Sequence, residues 1–316
     1  MSSTLLTIAG STLVLAVRAR EKPAMELGPH EWASELGELR TAGFEAIDLV
    51  DSWLTPGAMS ESSLRELRAV LDDSGLELAG VSVIRRSVTD PAAGVANLEF
   101  TLRSVDASAS LGAPIVGIGF HNPLTAQQKE WPFWVVPGYQ DARDEETWNV
   151  AAKRVGLVAE RAAQHGLEVT LELHEGTLLD SPAGAIRIIE QSGASNVGIN
   201  PDLGNLVRVP ARLPTGWLQL MKESLPYMNY WHLKNYMRIE APEVGVALSY
   251  PTDLEFGLID YRAALRLALA HGYHGPLCIE HYEGDAMWAI EKGRRYLEEV
   301  MRQLQEGSVL GAEAAQ

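Results

Sequence analysis

Ionisable side chains stand at the ends of four apolar runs in the second half of the chain: Glu172, Asp202, His232 and Glu280. Burying a charged group at the end of a strand costs free energy unless the group is paired or used. Three carboxylates and one imidazole suit a hard or borderline divalent cation such as Mn²⁺, Mg²⁺ or Co²⁺, and the cation would also relieve the repulsion between the carboxylates. We therefore expect these four residues to converge on one metal ion.

The elements that would position these residues follow from alternating apolar runs and amphipathic segments. Thirty residues separate Glu172 from Asp202 and Asp202 from His232, about one strand-plus-helix unit, and 48 separate His232 from Glu280. Strands are predicted at 5–9, 44–50, 76–84, 115–120, 167–174, 197–200, 228–233 and 276–281. Helices are predicted at 30–43, 60–74, 92–111, 145–166, 181–193, about 216–225, 259–271 and 285–305. Eight such units predict an α/β fold, a single (β/α)8 TIM barrel over 1–305, whose C-terminal strand ends form one active face.

Two long loops interrupt this alternation, after strands 4 and 7. The first, 121–144, is rich in aromatic side chains: Trp131, Phe133, Trp134 and Tyr139. It could cover the site and stack on a sugar or aromatic ring, or pack over the barrel rim or against another subunit. The second loop spans 237–258. Residues 306–316 are predicted to form a flexible C-terminal tail.

Composition and charge narrow the class of protein. The net charge of −16 argues against a nucleic-acid partner, because such binding depends on Lys and Arg neutralising phosphates. Cys278 is the only cysteine, which excludes an intrachain disulfide and a cysteine-rich zinc site. The apolar residues near the N terminus lack a preceding basic stretch, so a first strand is favoured over a secretory signal, and no membrane span is predicted. We expect a cytoplasmic protein with a small-molecule partner, and leave homo-oligomerisation open.

Longer segments around the four residues resemble a known family. They are 171–174, 202–205, 232–235 and 272–280, joined in the first half by 43–48. These segments resemble the xylose isomerase-like barrel superfamily of sugar isomerases and epimerases. The resemblance implies a metal set of Glu172, Asp202, His232 and Glu280, with Mn²⁺ as the first expectation. It also implies that Glu172 and Glu280 are catalytic and exchange a proton with the carbon next to a carbonyl.

The function implied by the resemblance is a divalent-metal-dependent isomerase or epimerase of a sugar or cyclitol. A metal that chelates a carbonyl and its neighbouring hydroxyl would stabilise an enediolate, while a carboxylate on either face moves the proton. The alternative is a metal-dependent lyase of the same superfamily, either an inosose-type dehydratase or a C-glycoside deglycosylating enzyme that acts by β-elimination. An abasic-DNA endonuclease is disfavoured by the acidic charge, and a binding protein without catalysis is a further reading.

Six more side chains are candidates for substrate contact: His121, His174, Asn205, Lys234, Arg238 and Trp134. His174 lies two residues beyond Glu172 and shares its strand face, so it could orient a metal ligand or contact substrate. Asn205 stands where the epimerases have a histidine, and Arg238 matches an epimerase arginine six residues after the metal histidine. Each has a structural alternative, as a core histidine, a turn residue or a solvated loop charge. Three neighbours are expected to be structural: Asp48, Glu175 and His281.

Overall fold

The structure is a computed structural model that describes residues 6–18, 21–211 and 213–313, with side chains up to 306. Ten strands lie in this part of the chain: β1 Ile8–Ser11, β2 Ala46–Val50, β3 Glu77–Val83, β4 Ile115–Ile118, β5 Glu168–Glu172, β6 Val197–Asn200, β7 Trp231–Leu233, β8 Asn235–Ala241, β9 Val246–Thr252 and β10 Leu277–Ile279. Eight of them pair in parallel in the order β6-β5-β4-β3-β2-β1-β10-β7. A bridge from Ile199 to Met228 joins the two ends, so the predicted (β/α)8 barrel is confirmed.

Helices cover the outside of the barrel. They are α1 Leu13–Ala16, α2 Pro29–Thr41, α3 Glu61–Ser74, α4 Gly94–Ser110, α5 Glu145–Gln164, α6 Pro182–Ser192, α7 Leu203–Val207, α8 Trp217–Ser224, α9 Tyr261–Ala270 and α10 Ala286–Glu313. The predicted capping residues are found at both ends of α3. The Ser60 hydroxyl accepts the Ser63 N–H at 3.1 Å, and Gly75 ends the helix at φ 64°. None of the described helices is both long and apolar enough to cross a membrane.

Most predicted boundaries differ from the structure by one to three residues, and two of the differences concern the first strand and the last helix. The first strand occupies Ile8–Ser11 rather than 5–9, and Leu5, where it was expected to begin, lies outside the described residues. The last helix continues past 305 to Glu313, into the segment predicted as a flexible tail. Gly307 stands where a glycine often ends a helix, but the backbone of α10 continues through it, and 314–316 lie outside the described residues.

The interior of the barrel changes from apolar to polar along its axis. Small or ring-bearing side chains fill the end at which the strands begin, including Ala9, Ala46 and Cys278. Asp48 follows Ala46 by two residues in β2 and therefore shares its inward face. The charged side chains consequently gather inside the barrel toward its C-terminal end, where the predicted site lies.

The two long loops meet over this end of the barrel. The loop after β4 carries Trp134, which is 5% exposed and donates its indole N–H to the Ser249 carbonyl at 3.3 Å. Ser249 belongs to β9, and β8 and β9 form an antiparallel hairpin within the loop after β7. The aromatic loop therefore packs against the hairpin rather than extending into solvent.

Candidate metal centre

The barrel brings the four predicted ligands together. Glu172 ends β5, Asp202 caps α7 directly after β6, His232 lies in β7, and Glu280 follows β10. The Nδ1 atom of His232 lies 3.3 Å from Glu172 Oε2, 3.4 Å from Glu280 Oε1 and 3.9 Å from Asp202 Oδ2. All four residues are exposed by 1% or less. Their facing atoms thus surround one point inside the protein.

The atoms that face this point lack hydrogen bonds. Glu172 Oε2, Glu280 Oε1, Asp202 Oδ2 and His232 Nδ1 are all buried and form none, although the Lys234 ammonium lies 2.5 Å from Asp202 Oδ2. Leaving a buried polar atom without a partner costs about 1–3 kcal/mol. Three carboxylate oxygens and one imidazole nitrogen form a donor set that fits a divalent cation.

The second oxygen of each carboxylate is held by a neighbour. Asn205 Nδ2 donates to Glu172 Oε1 at 3.0 Å, and its backbone N–H lies 3.3 Å from Asp202 Oδ1. Lys234 Nζ donates to Glu280 Oε2 at 2.6 Å. Asn205 and Lys234 are predicted substrate contacts, and in the structure they contact the carboxylates of Glu172, Asp202 and Glu280. Each carboxylate therefore has one oxygen fixed and the other directed at the shared point.

Neighbouring side chains keep two of the carboxylates ionised. Burial alone would raise the pKa of Glu172, but the neighbouring His121 and His232 leave it well below its usual value. Burial also opposes ionisation of Glu280, yet Lys234 and His232 lower its pKa. Both glutamates can therefore bind a cation or accept a proton at neutral pH.

Asp202 and His232 behave differently when no cation is bound. Burial raises the pKa of Asp202 to about 7 against the attraction of Lys234. Burial would lower the pKa of His232, but the facing carboxylates, led by Glu280, raise it well above its usual value. The cluster without metal thus holds protons that a divalent cation would displace, as expected for a metal site.

Asp48 lies on the opposite side of the His232 ring. Its Oδ2 atom is 3.4 Å from His232 Nε2, while its Oδ1 accepts hydrogen bonds from Ser82 Oγ at 2.9 Å and the Tyr230 hydroxyl at 3.1 Å. A carboxylate beside the outer nitrogen of a metal-binding histidine fixes the tautomer and the ring orientation. The Cys278 thiol is also close, but burial raises its pKa to about 12, so it stays protonated and is a poor ligand.

His121 and His174 lie next to the centre. His121 Nε2 is 3.7 Å from Glu172 Oε1, and the two histidine rings are 3.5 Å apart. Burial lowers the pKa of His121 to about 4, so the ring is neutral at physiological pH. His174 Nε2 must accept a hydrogen bond, because Arg208, at 2.9 Å, can only donate. His174 Nδ1 therefore carries the proton and donates to the Glu175 carbonyl at 3.0 Å.

Arg208 contacts several side chains of the site, and the sequence did not indicate its role. It is 2% exposed and pairs with Glu175 at 2.8 Å, a residue expected to be structural. Its guanidinium also donates to the hydroxyls of Tyr282 at 2.9 Å and Tyr236 at 3.1 Å. The ring of Trp134 lies 5.2 Å from its guanidinium carbon. The only sequence signal is an arginine directly after the short helix α7, and that pattern is too common to identify a site.

A cavity of about 590 Å³ lies beside the centre. Three of the predicted substrate contacts, His121, His174 and Trp134, line it, together with Phe133 and other largely apolar side chains of the aromatic loop. Phe133 stacks on His174 at 6.3 Å, and Trp131 remains 60% exposed. Part of the aromatic loop therefore covers the site, as one of its two readings predicted, and part stays at the surface.

Arg238 does not reach this cavity. Its guanidinium donates to the carbonyls of Val207 at 3.3 Å, Val209 at 2.8 Å and Pro210, and its Nε pairs with Glu240. Arg238 lies in β8, which pairs with β9 and is not one of the barrel strands. Its side chain therefore faces the segment that follows α7 instead of the barrel axis. In the described structure Arg238 fastens the hairpin to that segment, which does not support the substrate contact inferred from the resemblance.

Comparisons with known proteins agree with this architecture. The family described as Xylose isomerase-like TIM barrel matches residues 36–305. A Xylose isomerase-like TIM barrel protein from Mycobacterium smegmatis, solved in complex with magnesium, is 36% identical, with 95% of this chain and 97% of that chain covered and a TM-score of 0.87.

More distant structures share the fold. An L-ribulose 3-epimerase is 17% identical, with 97% of this chain and 98% of that chain covered and a TM-score of 0.70. The probable 3-DHS dehydratase involved in petrobactin synthesis from Bacillus anthracis is 16% identical, with 93% and 99% covered and a TM-score of 0.64. No functionally curated protein matches the chain by sequence. The match over 36–305 and the barrel itself agree: the chain belongs to the Xylose isomerase-like TIM barrel family.

Proposed function

We propose that this protein is a divalent-metal-dependent isomerase or epimerase that acts on a hydroxy-carbonyl sugar or cyclitol. The observation that carries the proposal is the convergence of four buried ligand atoms without hydrogen bonds from Glu172, Asp202, His232 and Glu280. An oxygen-rich set with one imidazole favours Mn²⁺ or Mg²⁺, with Co²⁺ as a further choice. When bound there, the cation would polarise the substrate carbonyl and lower the pKa of the neighbouring C–H.

The two glutamates are the proposed proton carriers. Glu172 and Glu280 come from β5 and β10, which are separated in the barrel by β6 and β7 and so stand on different sides of His232. The low pKa of each glutamate keeps it ionised, so either can accept the proton. In an isomerisation the accepting glutamate returns that proton to the neighbouring carbon, whereas an epimerisation requires the opposite glutamate to take up a proton from solvent before it donates. Asn205 and Lys234 each hold one oxygen of a glutamate, which limits rotation of the carboxylate during the transfer.

The cavity residues are proposed to bind the remainder of the substrate. His121 is neutral, lies at the cavity wall and is close enough to Glu172 to contact a substrate hydroxyl beside it. His174 is locked as the Nδ1–H tautomer, so it positions the adjacent His121 ring. Trp134 and Phe133 exclude water from above, which strengthens the electrostatic interactions at the centre.

A lyase of the same family is the second candidate. Proton removal next to a carbonyl also begins a β-elimination, after which a neighbouring group leaves instead of the proton returning. The aromatic-lined cavity favours this alternative, because it offers apolar space beside the centre where a leaving group with a ring could be held.

Product analysis in D₂O distinguishes the two candidates. The Mn²⁺-loaded protein would be incubated with keto-sugars, inososes and 3-keto-glycosides. Deuterium next to the carbonyl of an unchanged carbon skeleton supports the isomerase, and a released water or aglycone supports the lyase. Glu280→Gln should abolish either reaction, whereas Glu99→Gln, at an exposed position in α4, should not. Full activity and metal content in Glu280→Gln would show that the assignment of the centre is wrong.

A further inference from the structure

The hairpin formed by β8 and β9 has one face that is almost entirely apolar and exposed. Met237 stands directly opposite Tyr250, and Ile239 directly opposite Leu248. Side chains alternate between the faces of a strand, so these four lie on the same face. They are exposed by 53%, 56%, 66% and 51%, and Val244 at the hairpin tip by 70%. We call these five side chains the hairpin patch.

The opposite face of the hairpin is fully engaged. Tyr236 is buried and bonded to Arg208, and Ser249 accepts the indole N–H of Trp134. Arg238 on the same face reaches the carbonyls of Val207 and Val209. The hairpin is therefore firmly seated on the barrel, and the patch is a fixed surface that the rest of the described chain leaves uncovered.

We propose that a second copy of this chain covers the hairpin patch. Each of the five side chains exposes roughly 100 Å², so the patch presents about 500 Å², which is at the upper end of what a monomer leaves in contact with water. Two patches facing each other would bury about 1,000 Å², the lower range of a specific interface before any rim contacts are added. The area thus suits a dimer.

Charge also points to a second copy as the partner. The chain carries a net charge of −16, so most of its surface repels another copy of itself. The patch contains no charged side chain, so two copies of it can face each other across a two-fold axis without like-charge repulsion. Its rim does carry acids, since the Tyr250 hydroxyl lies 3.5 Å from Glu283. Contact through this face would bring apolar pairs together while the carboxylates stay at the solvated edge.

Such a dimer would restrain the hairpin, which contacts residues beside the candidate metal centre. The patch and the contacts to Trp134 and Arg208 lie on opposite faces of the same two strands. Fixing the outer face would restrain the inner one, and with it the aromatic loop over the cavity. This inference does not depend on which reaction the centre catalyses.

Sedimentation equilibrium with the full-length protein tests the proposal. The parent protein is expected at twice 34.5 kDa. The double variant Ile239→Lys/Leu248→Lys should raise the dissociation constant at least ~100-fold, because four ammonium groups would meet in an apolar interface. The matched control is Val95→Lys, an apolar position in α4 that is 61% exposed, and it should stay dimeric. A monomeric parent, or a dimer unaffected by the double variant, would overturn the proposal.

Cross-linking provides an independent arm. Cys278 is the only cysteine and is buried, so a new surface cysteine would be the sole accessible thiol. Leu248→Cys should form a disulfide-linked dimer under mild oxidation, while Val95→Cys should not. Equal cross-linking of both variants would indicate random collision and would count against the hairpin patch.

Discussion

Asp48 Oδ2 lies 3.4 Å from His232 Nε2 and directs the other ring nitrogen of His232 toward three carboxylates. A carboxylate here stabilises the proton on Nε2 and leaves Nδ1 free to bind a cation. The candidate site therefore includes a residue from β2 that lies on the far side of the His232 ring from the proposed metal position.

Asp48→Asn should weaken metal binding about 10–100-fold. The asparagine oxygen can keep the hydrogen bonds from Ser82 and Tyr230, but its amide would donate to Nε2 and force the proton onto Nδ1. Calorimetric titration with Mn²⁺ measures the effect, with Asp73→Asn, an exposed position in α3, as the control. Parent-like affinity in Asp48→Asn would show that the contact does not set the tautomer.

Lys234→Met should make stability depend more strongly on metal. The Lys234 ammonium contacts Asp202 at 2.5 Å and Glu280 at 2.6 Å, so its loss leaves buried carboxylates without a counter-charge, at a cost of about 3–5 kcal/mol. A divalent cation can replace that charge. We expect a lower melting temperature for the metal-free variant and a larger rise on adding Mn²⁺ than in the parent. An equal rise in both proteins would contradict this role for Lys234.

The buried carboxyl of Asp51 should make the free energy of unfolding depend on pH. Burial raises the pKa of this carboxyl from 3.8 to about 6, although Arg86 and Arg85 oppose the rise. The folded state therefore binds the proton more tightly than the unfolded state, and Asp51 lowers the free energy of unfolding as the pH rises from about 4 through 6. A difference of two pKa units corresponds to roughly 3 kcal/mol.

Asp51→Asn should accordingly stabilise the metal-free protein by up to that amount above about pH 7, and the gain should vanish near pH 4. Urea unfolding at a series of pH values measures it. Asp73→Asn serves as the exposed control and should show no such trend. A gain independent of pH would mean that the carboxyl is not the source.

Arg208→Lys should loosen the aromatic loop without changing the barrel. A lysine cannot serve Glu175, His174 and the two tyrosine hydroxyls at once, and it loses the planar stacking that a guanidinium offers. We expect faster hydrogen exchange in 121–144 and unchanged exchange in β5 and β6. Arg187→Lys, whose guanidinium lies over Trp148 away from the site, is the matched control. Unchanged exchange in both variants would show that Arg208 does not hold the loop.

The sequence predicted the ligand convergence because of one geometric rule. In a parallel barrel the C-terminal strand ends meet, so Glu172, Asp202, His232 and Glu280 could be placed together although they are distant in the chain. The strand and helix positions followed from periodicity and from caps such as Ser60. These signals are local, or depend only on the order of the strands.

Arg208 and the role of Asp48 could not be predicted in this way. Arg208 acts through side chains from four separate segments, and the short helix before it is too brief to show a helical period. The sequence predicts a structural role for Asp48, because nothing in its neighbourhood reveals that it faces His232 across the barrel. Contacts of this kind depend on side-chain direction in three dimensions, which neither residue type nor spacing encodes.

The complete burial of the four ligand atoms has a kinetic consequence. His121 and His174 line the cavity whereas none of the four residues does, so a cation bound at this point would leave past these two side chains. Removal by a chelator should then reach a limiting rate that no longer rises with chelator concentration, because that rate is the opening rate of the protein. An opening rate slower than turnover would let each molecule keep its ion through many catalytic cycles.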